Sequence, residues 1–201
     1  MIYQTLILAA VLGYLLGSIP FGLLLTRAAG LGDIRSIGSG NIGATNVLRT
    51  GNKALAVATL VLDAGKGAVA VLLARWFLGE EAAMMAGIGA FLGHVFPIWL
   101  KFNGGKGMAT FIGVLLALNL LVGLIACATW LFIAVAQRYS SLASITAAAT
   151  APIFAYVVSG LQLAAAAGVS SIVLVFRHRP NIVRLWKGTE PKIGSEKPKA
   201  Q

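Results

Sequence analysis

Two stretches of the chain carry residues of the kind that hold phosphate. Gly32–Gly51 reads GDIRSIGSGNIGATNVLRTG, and Lys101–Thr110 reads KFNGGKGMAT. Each mixes glycines with Ser, Thr or Asn and at least one cation. Lacking a Cβ, glycine lets successive backbone N–H groups converge into an anion-binding nest. Both stretches also run into an expected helix, whose N-terminal end favours negative charge. Arg49 and Lys106 supply counter-charge. The phosphate-contact candidates are thus Gly38, Ser39, Gly40, Asn41, Thr45 and Asn46 in the first stretch, and Gly104, Gly105, Lys106 and Gly107 in the second.

Two familiar phosphate patterns are rejected. Gly38, Gly40 and Gly43 match GxGxxG, with Asp63 twenty residues on, but the βαβ setting of a dinucleotide site is missing and Asp63 falls in an apolar run. In GGKG, Lys106 precedes glycine where a P-loop has Ser or Thr. Asp63 and Lys66, at i and i+3, share one helix face. As charges inside an apolar segment they read either as an internal ion pair or as the lining of a substrate path. His178 and Asn181 lie three apart in RHRPNIVRL, on one face if the helix continues through Pro180, on separate elements if Pro180 starts a new one. Among Arg177, Arg179 and Arg184, a neutral imidazole is favoured for His178. His94 is either an interfacial histidine or part of the site. Ser140 or Ser141 is either an N-cap of the following helix or a phosphate ligand. With one cysteine, two histidines and no HExxH, no metal site and no other cofactor is expected.

The elements that must position these residues lie in a membrane. Of 201 residues, 58% are hydrophobic and 11% charged, and the mean hydropathy is +0.87. So few charged side chains cannot coat a soluble globule. Apolar runs occupy roughly 3–26, 54–78, 82–100, 108–137, 141–159 and 161–176, against about 20 residues for a span. Breaking the 30-residue run near Asn119 gives seven helices, the first half of the broken run being short. The start of the chain lacks a basic leader and reads as a retained first helix. With seven helices, 14 of the 16 Lys and Arg residues fall on one face. The positive-inside rule makes that face cytoplasmic, with the N-terminus periplasmic and the C-terminus cytoplasmic. Orientation accounts for much of the +10 net charge, so nucleic acid is not an expected partner. No internal repeat argues for a transporter, though a carrier of a phosphorylated solute is the alternative reading. The tail from Lys187 to Gln201 is expected to fray.

GSGNIGATNVLR (Gly38–Arg49), GHVFPIWLKFNGGKGMAT (Gly93–Thr110) and HRPNIVRLWKGTE (His178–Glu190), in that order, resemble the bacterial acyl-phosphate:glycerol-3-phosphate acyltransferase family. GSIPFG, LDAGKG and RYSSLASI extend the likeness over nearly the whole chain. The resemblance implies transfer of a fatty acyl group from acyl phosphate to the 1-hydroxyl of sn-glycerol 3-phosphate, without metal or cofactor. It also implies a seven-helix inner-membrane enzyme working at the cytoplasmic side. Residues 1–186 are then one membrane domain and 187–201 a polar cytoplasmic tail. It assigns activity to Ser39, Arg49, His178 and Asn181, the glycerol-phosphate site to Gly104, Gly105, Lys106 and Gly107, and a structural role to Glu190, while the first stretch and Ser141 are kept as substrate contacts on the residues alone. Asp63 and Lys66 are placed with the structural residues. The implied partners are the two substrates, membrane lipid and the soluble enzyme that makes acyl phosphate. The HxxxxD of other glycerolipid acyltransferases is absent, since Trp99 and Val183 stand five residues after the two histidines.

Overall fold

The computed structural model describes residues 2–194, and every regular element in them is helical. In order these are α1 (Ile2–Gly17), α2 (Phe21–Ala28), α3 (Ala44–Val47), α4 (Lys53–Leu78), α5 (Glu80–Val95), α6 (Met108–Leu118), α7 (Leu120–Gln137), α8 (Ser140–Ser159), α9 (Leu161–Arg177) and α10 (Arg179–Trp186). Five stretches are long and apolar enough to cross a bilayer: Ile2–Ala28, α4, Glu80–Leu100, α7 and α8. α9 and α10 reach that length only together, as a pair bent by 58°. At 11 residues, α6 reaches only about 16 Å and does not cross a hydrocarbon core of about 30 Å.

The run 108–137 does break at Asn119. Its extended backbone ends α6, and its side-chain oxygen accepts from Val122 N at 3.1 Å, capping α7. An apolar residue there could not satisfy the first turn of α7. The end of α6 is held by Arg75 of α4, which donates to the carbonyls of Ala117 and Leu118 at 2.5 and 3.1 Å. Two further bonds, of 2.6 and 2.7 Å, pair Arg75 with Glu80.

The expected first helix, 3–26, is in fact two. Pro20 lacks an N–H and cannot continue the ladder, so the chain breaks at Ser18–Pro20. Lys66 donates to the carbonyl of Ile19 at this break, at 2.7 Å. The same ammonium pairs with Asp63 at 2.8 Å, both side chains being almost fully buried. His94 Nδ1 approaches Asp63 Oδ1 to 3.5 Å, and Thr110 donates to the Asp63 carbonyl at 2.9 Å. The Asp63–Lys66 pair is therefore an internal tie between α4, α2's approach, α5 and α6.

Small residues let α1 and α5 touch along their backbones. A methyl group at Gly13 or Gly17 would overlap the carbonyl of Ala86 or Ala90, and one at Gly89 or Gly93 that of Ala10 or Tyr14. With no hydrophobic drive between helices in lipid, such close van der Waals approach is what holds them. Phe91 and Phe111 meet edge to face at 6.1 Å and anchor α6 on α5.

Asp63→Asn strands the Lys66 ammonium and is expected to cost about 3–5 kcal/mol of stability. Asp63→Asn with Lys66→Met should recover a large part of that loss, read as thermal unfolding in detergent.

Candidate active site

The first glycine-rich stretch is built around Asn46. Its amide nitrogen lies 2.9, 3.0 and 2.8 Å from the carbonyls of Ile34, Ile37 and Asn41. Its oxygen accepts from Ser39 N at 3.1 Å and lies 3.4 Å from Ser39 Oγ. Asn46 is 2% exposed, so its side chain organises the loop from beneath. Asn41 closes a tight turn by accepting from Gly43 N at 2.9 Å. Gly38 takes φ +60, and a Cβ there would strike Asn46 and the Arg49 guanidinium, which lies against it. At the loop's start, Asp33 pairs with Arg35 at 2.6 Å and Arg27 at 2.8 Å. Hydrogen bonds from Arg35 hold the Asp33 carboxyl well below the usual carboxylate range. Thr45 Oγ1 stands 3.5 Å from Ser140 Oγ, which brings the loop to the start of α8.

The second stretch corrects an expectation. Gly104 N donates to Val95 O at 3.2 Å, and Gly105 N to His94 O at 3.0 Å. These two amides answer carbonyls left open at the end of α5, and so do not form a nest. Gly105 sits directly on the imidazole of His94, where a Cβ would overlap Nε2. Gly107, with φ +94, turns the chain into α6, so Lys106 stands at the mouth of that helix.

The third group converges on the same place. His178 follows α9, and Pro180 in the first turn of α10 marks a new helix, so the two candidates sit on a junction rather than on one continuous face. His178 Nδ1 lies 2.9 Å from Leu174 O and donates to it, which leaves Nε2 as an acceptor. His178 is 3% exposed. Asn181 accepts from Lys106 Nζ at 2.5 Å and donates to Glu190 Oε1 at 2.6 Å. Ser141 donates to the same Glu190 oxygen at 2.6 Å, and Arg184 to the other at 2.6 Å. Neither Ser140 nor Ser141 caps α8 with its side chain.

Burial pushes the Lys106 ammonium down to about 8; Glu190 opposes the shift, while Arg184, Arg49 and Arg177 add to it. Glu190 is also raised by burial, but the bonds from Ser141, Asn181 and Arg184 outweigh this and keep it ionised. The beginning of the tail is not frayed. Ile193 N donates to Arg138 O at 2.6 Å and Arg138 to Ile193 O at 3.1 Å, because the buried Glu190 draws the segment back onto the bundle. Residues 195–201, with Lys197 and Lys199, lie outside the described residues.

The two glycine-rich stretches and the His178–Asn181 group therefore meet, with the start of α8, at one end of the bundle. Sequence reasoning passed over Arg177, which donates to Gly104 O at 3.2 Å and lies over the Phe96 ring at 5.6 Å. Its only signal was its place beside His178. Asn46→Ala removes the loop's internal partners and is expected to cost about 1–3 kcal/mol, because at least one of the carbonyls it serves is left buried and unpaired. Thr45→Val, at the exposed rim, should instead leave stability within about 0.5 kcal/mol of wild type.

A protein-family model described as glycerol-3-phosphate acyltransferase matches residues 7–188. The glycerol-3-phosphate acyltransferase of Mesorhizobium japonicum is 63% identical over 95% of this chain and 97% of its own length. Those of Cereibacter sphaeroides and Rhizobium etli are 56% and 54% identical, over 95% and 96% of this chain and 91% and 94% of theirs. The crystal structure of PlsY (YgiH), an integral membrane glycerol 3-phosphate acyltransferase, in its glycerol 3-phosphate form superposes with a TM-score of 0.88. It shares 38% identity and covers 94% of this chain and 96% of that one. The lysophosphatidic acid form gives 0.86. An all-helical membrane bundle, three polar motifs gathered at one end, and this breadth of likeness agree: the chain belongs to the glycerol-3-phosphate acyltransferase family.

Proposed function

We propose that the chain transfers a fatty acyl group from acyl phosphate to the 1-hydroxyl of sn-glycerol 3-phosphate, releasing 1-acylglycerol 3-phosphate and inorganic phosphate. The observation that carries the reading is the chain of bonds Lys106–Asn181–Glu190–Ser141. It ties the second motif, the third motif and the start of α8 into one cationic recess. Arg49, Arg177 and Arg184 all act on Lys106 there, against the carboxylate of Glu190. Two phosphorylated substrates supply the missing negative charge, and an acyl chain explains why the recess borders lipid.

In the step itself, the glycerol hydroxyl oxygen attacks the acyl carbonyl carbon. The bond from that carbon to the phosphate oxygen breaks, and inorganic phosphate leaves with the bonding electrons. The hydroxyl proton passes to His178 Nε2 or to a substrate phosphate oxygen. An acyl phosphate is a mixed anhydride, so positioning and charge stabilisation can carry the reaction; well-oriented geometry contributes about 7–11 kcal/mol. Lys106 and Arg49 hold phosphate. Ser39, Gly38 and Gly40 form the exposed lip of the first loop, with Asn41 and Asn46 shaping it. Glu190 and Ser141 fix Asn181, which in turn aims Lys106. Gly104, Gly105 and Gly107 let this loop lie flush on α5.

We read the bundle as seven helices with the recess on the cytoplasmic side of the inner membrane, since the site shares a face with most of the Lys and Arg residues. α6 then dips in and α7 completes the return. The enzyme that makes acyl phosphate is the expected soluble partner at this face.

The test is acyl transfer to radiolabelled glycerol 3-phosphate by purified protein, without added metal. Activity is expected with palmitoyl phosphate and not with palmitoyl-CoA or acyl carrier protein; activity with the thioesters alone would reverse the donor assignment. The Lys106 ammonium is protonated below about 8. Since kcat/KM reports ionisations of the free enzyme, it should fall as pH rises through that value. In Lys106→Arg, which stays charged, that alkaline limb should disappear.

A further inference from the structure

Among the described residues, three buried side-chain atoms have no hydrogen-bond partner: Asp63 Oδ1, His94 Nδ1 and Arg177 Nε. The first two face each other at 3.5 Å, and Lys66 stands 2.8 Å from the same Asp63 oxygen. Arg177 has no such answer. One of its amino groups donates to Gly104 O at 3.2 Å, and its guanidinium plane rests on Phe96. No ion pair to a carboxylate involves it among the described residues. Glu190, the carboxylate of the recess, is already engaged by Ser141, Asn181 and Arg184. A buried N–H of a charged group is costly without an acceptor, and the Nε–H of this partly exposed cation has none from the protein.

Its position is fixed from two sides. Gly104 belongs to the same short loop as Lys106, and Arg177 is the residue before His178, so this side chain joins the two motifs across the recess. It acts on Lys106 with like charge. The nearby carboxylate, Glu190, is already engaged by three donors, so cations gathered on this loop leave a place for a further anion. A guanidinium also offers a planar fork that suits phosphate oxygens better than an ammonium does.

We propose that Arg177 is a phosphate-binding residue of the acyl-transfer site, held by Gly104 and Phe96 so that it shares one substrate phosphate with Lys106. The proposal rests on the acyltransferase reading above. Either substrate can bring the phosphate, and separate Michaelis constants identify which.

Arg177→Gln keeps a donor for the Gly104 carbonyl and removes the charge. With palmitoyl phosphate and glycerol 3-phosphate varied in turn, the KM of one substrate should rise about ten- to a hundredfold, with kcat within about threefold of wild type. Arg177→Lys, which restores the charge but not the fork, should bring that KM back to within about fivefold. A variant in which neither KM moves, or in which kcat falls and both KM values hold, overturns the proposal, the second outcome meaning that Arg177 only braces the loop. Unfolding temperatures in detergent accompany each variant. If Arg177→Gln does not fold, Arg177→Met and Arg177→Lys carry the comparison, with Met expected to lose the KM that Lys retains. Wild type is assayed in parallel: an inactive wild type refutes the function, whereas an active one beside an unaffected Arg177→Gln refutes this residue's role alone.

Discussion

Glu190 accepts hydrogen bonds from three residues that lie far apart in the chain, Ser141, Asn181 and Arg184. A carboxylate whose side chain is only 6% exposed has to find such donors, because burial without them would force it to take up a proton. The consequences run outward. Asn181 is turned so that its oxygen faces Lys106, the segment after α10 is drawn back towards the corner between α7 and α8, and the start of α8 is tied to the third motif. The recess is cationic, yet its shape is set by the one negative group in it.

The lipid-facing part obeys the same rule by other means. Wherever a helix stops inside the bundle, a side chain from another helix meets the loose backbone. Lys66 reaches the Ile19 carbonyl left by the break at Pro20, and Arg75 reaches the last carbonyls of α6. Each cation also has its own carboxylate, Asp63 and Glu80 respectively. Hydrocarbon supplies no water for such groups, so an interrupted helix at that depth must be completed by protein. The interruptions are what bring α2, α5 and α6 to the ends where the glycine-rich loops begin.

Much of this was legible in the chain, for reasons that can be named. Asn119 stood out as the one asparagine, placed near the middle of a 30-residue apolar run, and it ends α6 and starts α7. Asp63 and Lys66 are neighbours on one helix, so local spacing was enough to pair them. The glycines of the second loop were noticed for the right stretch and the wrong reason. Composition announces that backbone comes close to something; it does not say whether that partner is a substrate or the end of α5. The break at Ser18–Pro20 was hidden because Ile19 and Phe21 keep the run apolar on both sides. The donors of Glu190 and the grip of Arg177 on Gly104 join residues that are distant in sequence, and no periodicity records such contacts.

The shortness of α6 bears on how the protein reaches its membrane. A segment of 11 residues is too brief to enter the bilayer as a unit of its own, however apolar it is. It has to travel with α7, the two folded about Asn119 as a hairpin. The Arg75–Glu80 clasp belongs to α4 and α5, which precede α6 in the chain, so the receptor for the tip of α6 is synthesised before α6 itself. In chain order the seat, built by α4 and α5, therefore precedes the α6–α7 hairpin that fills it.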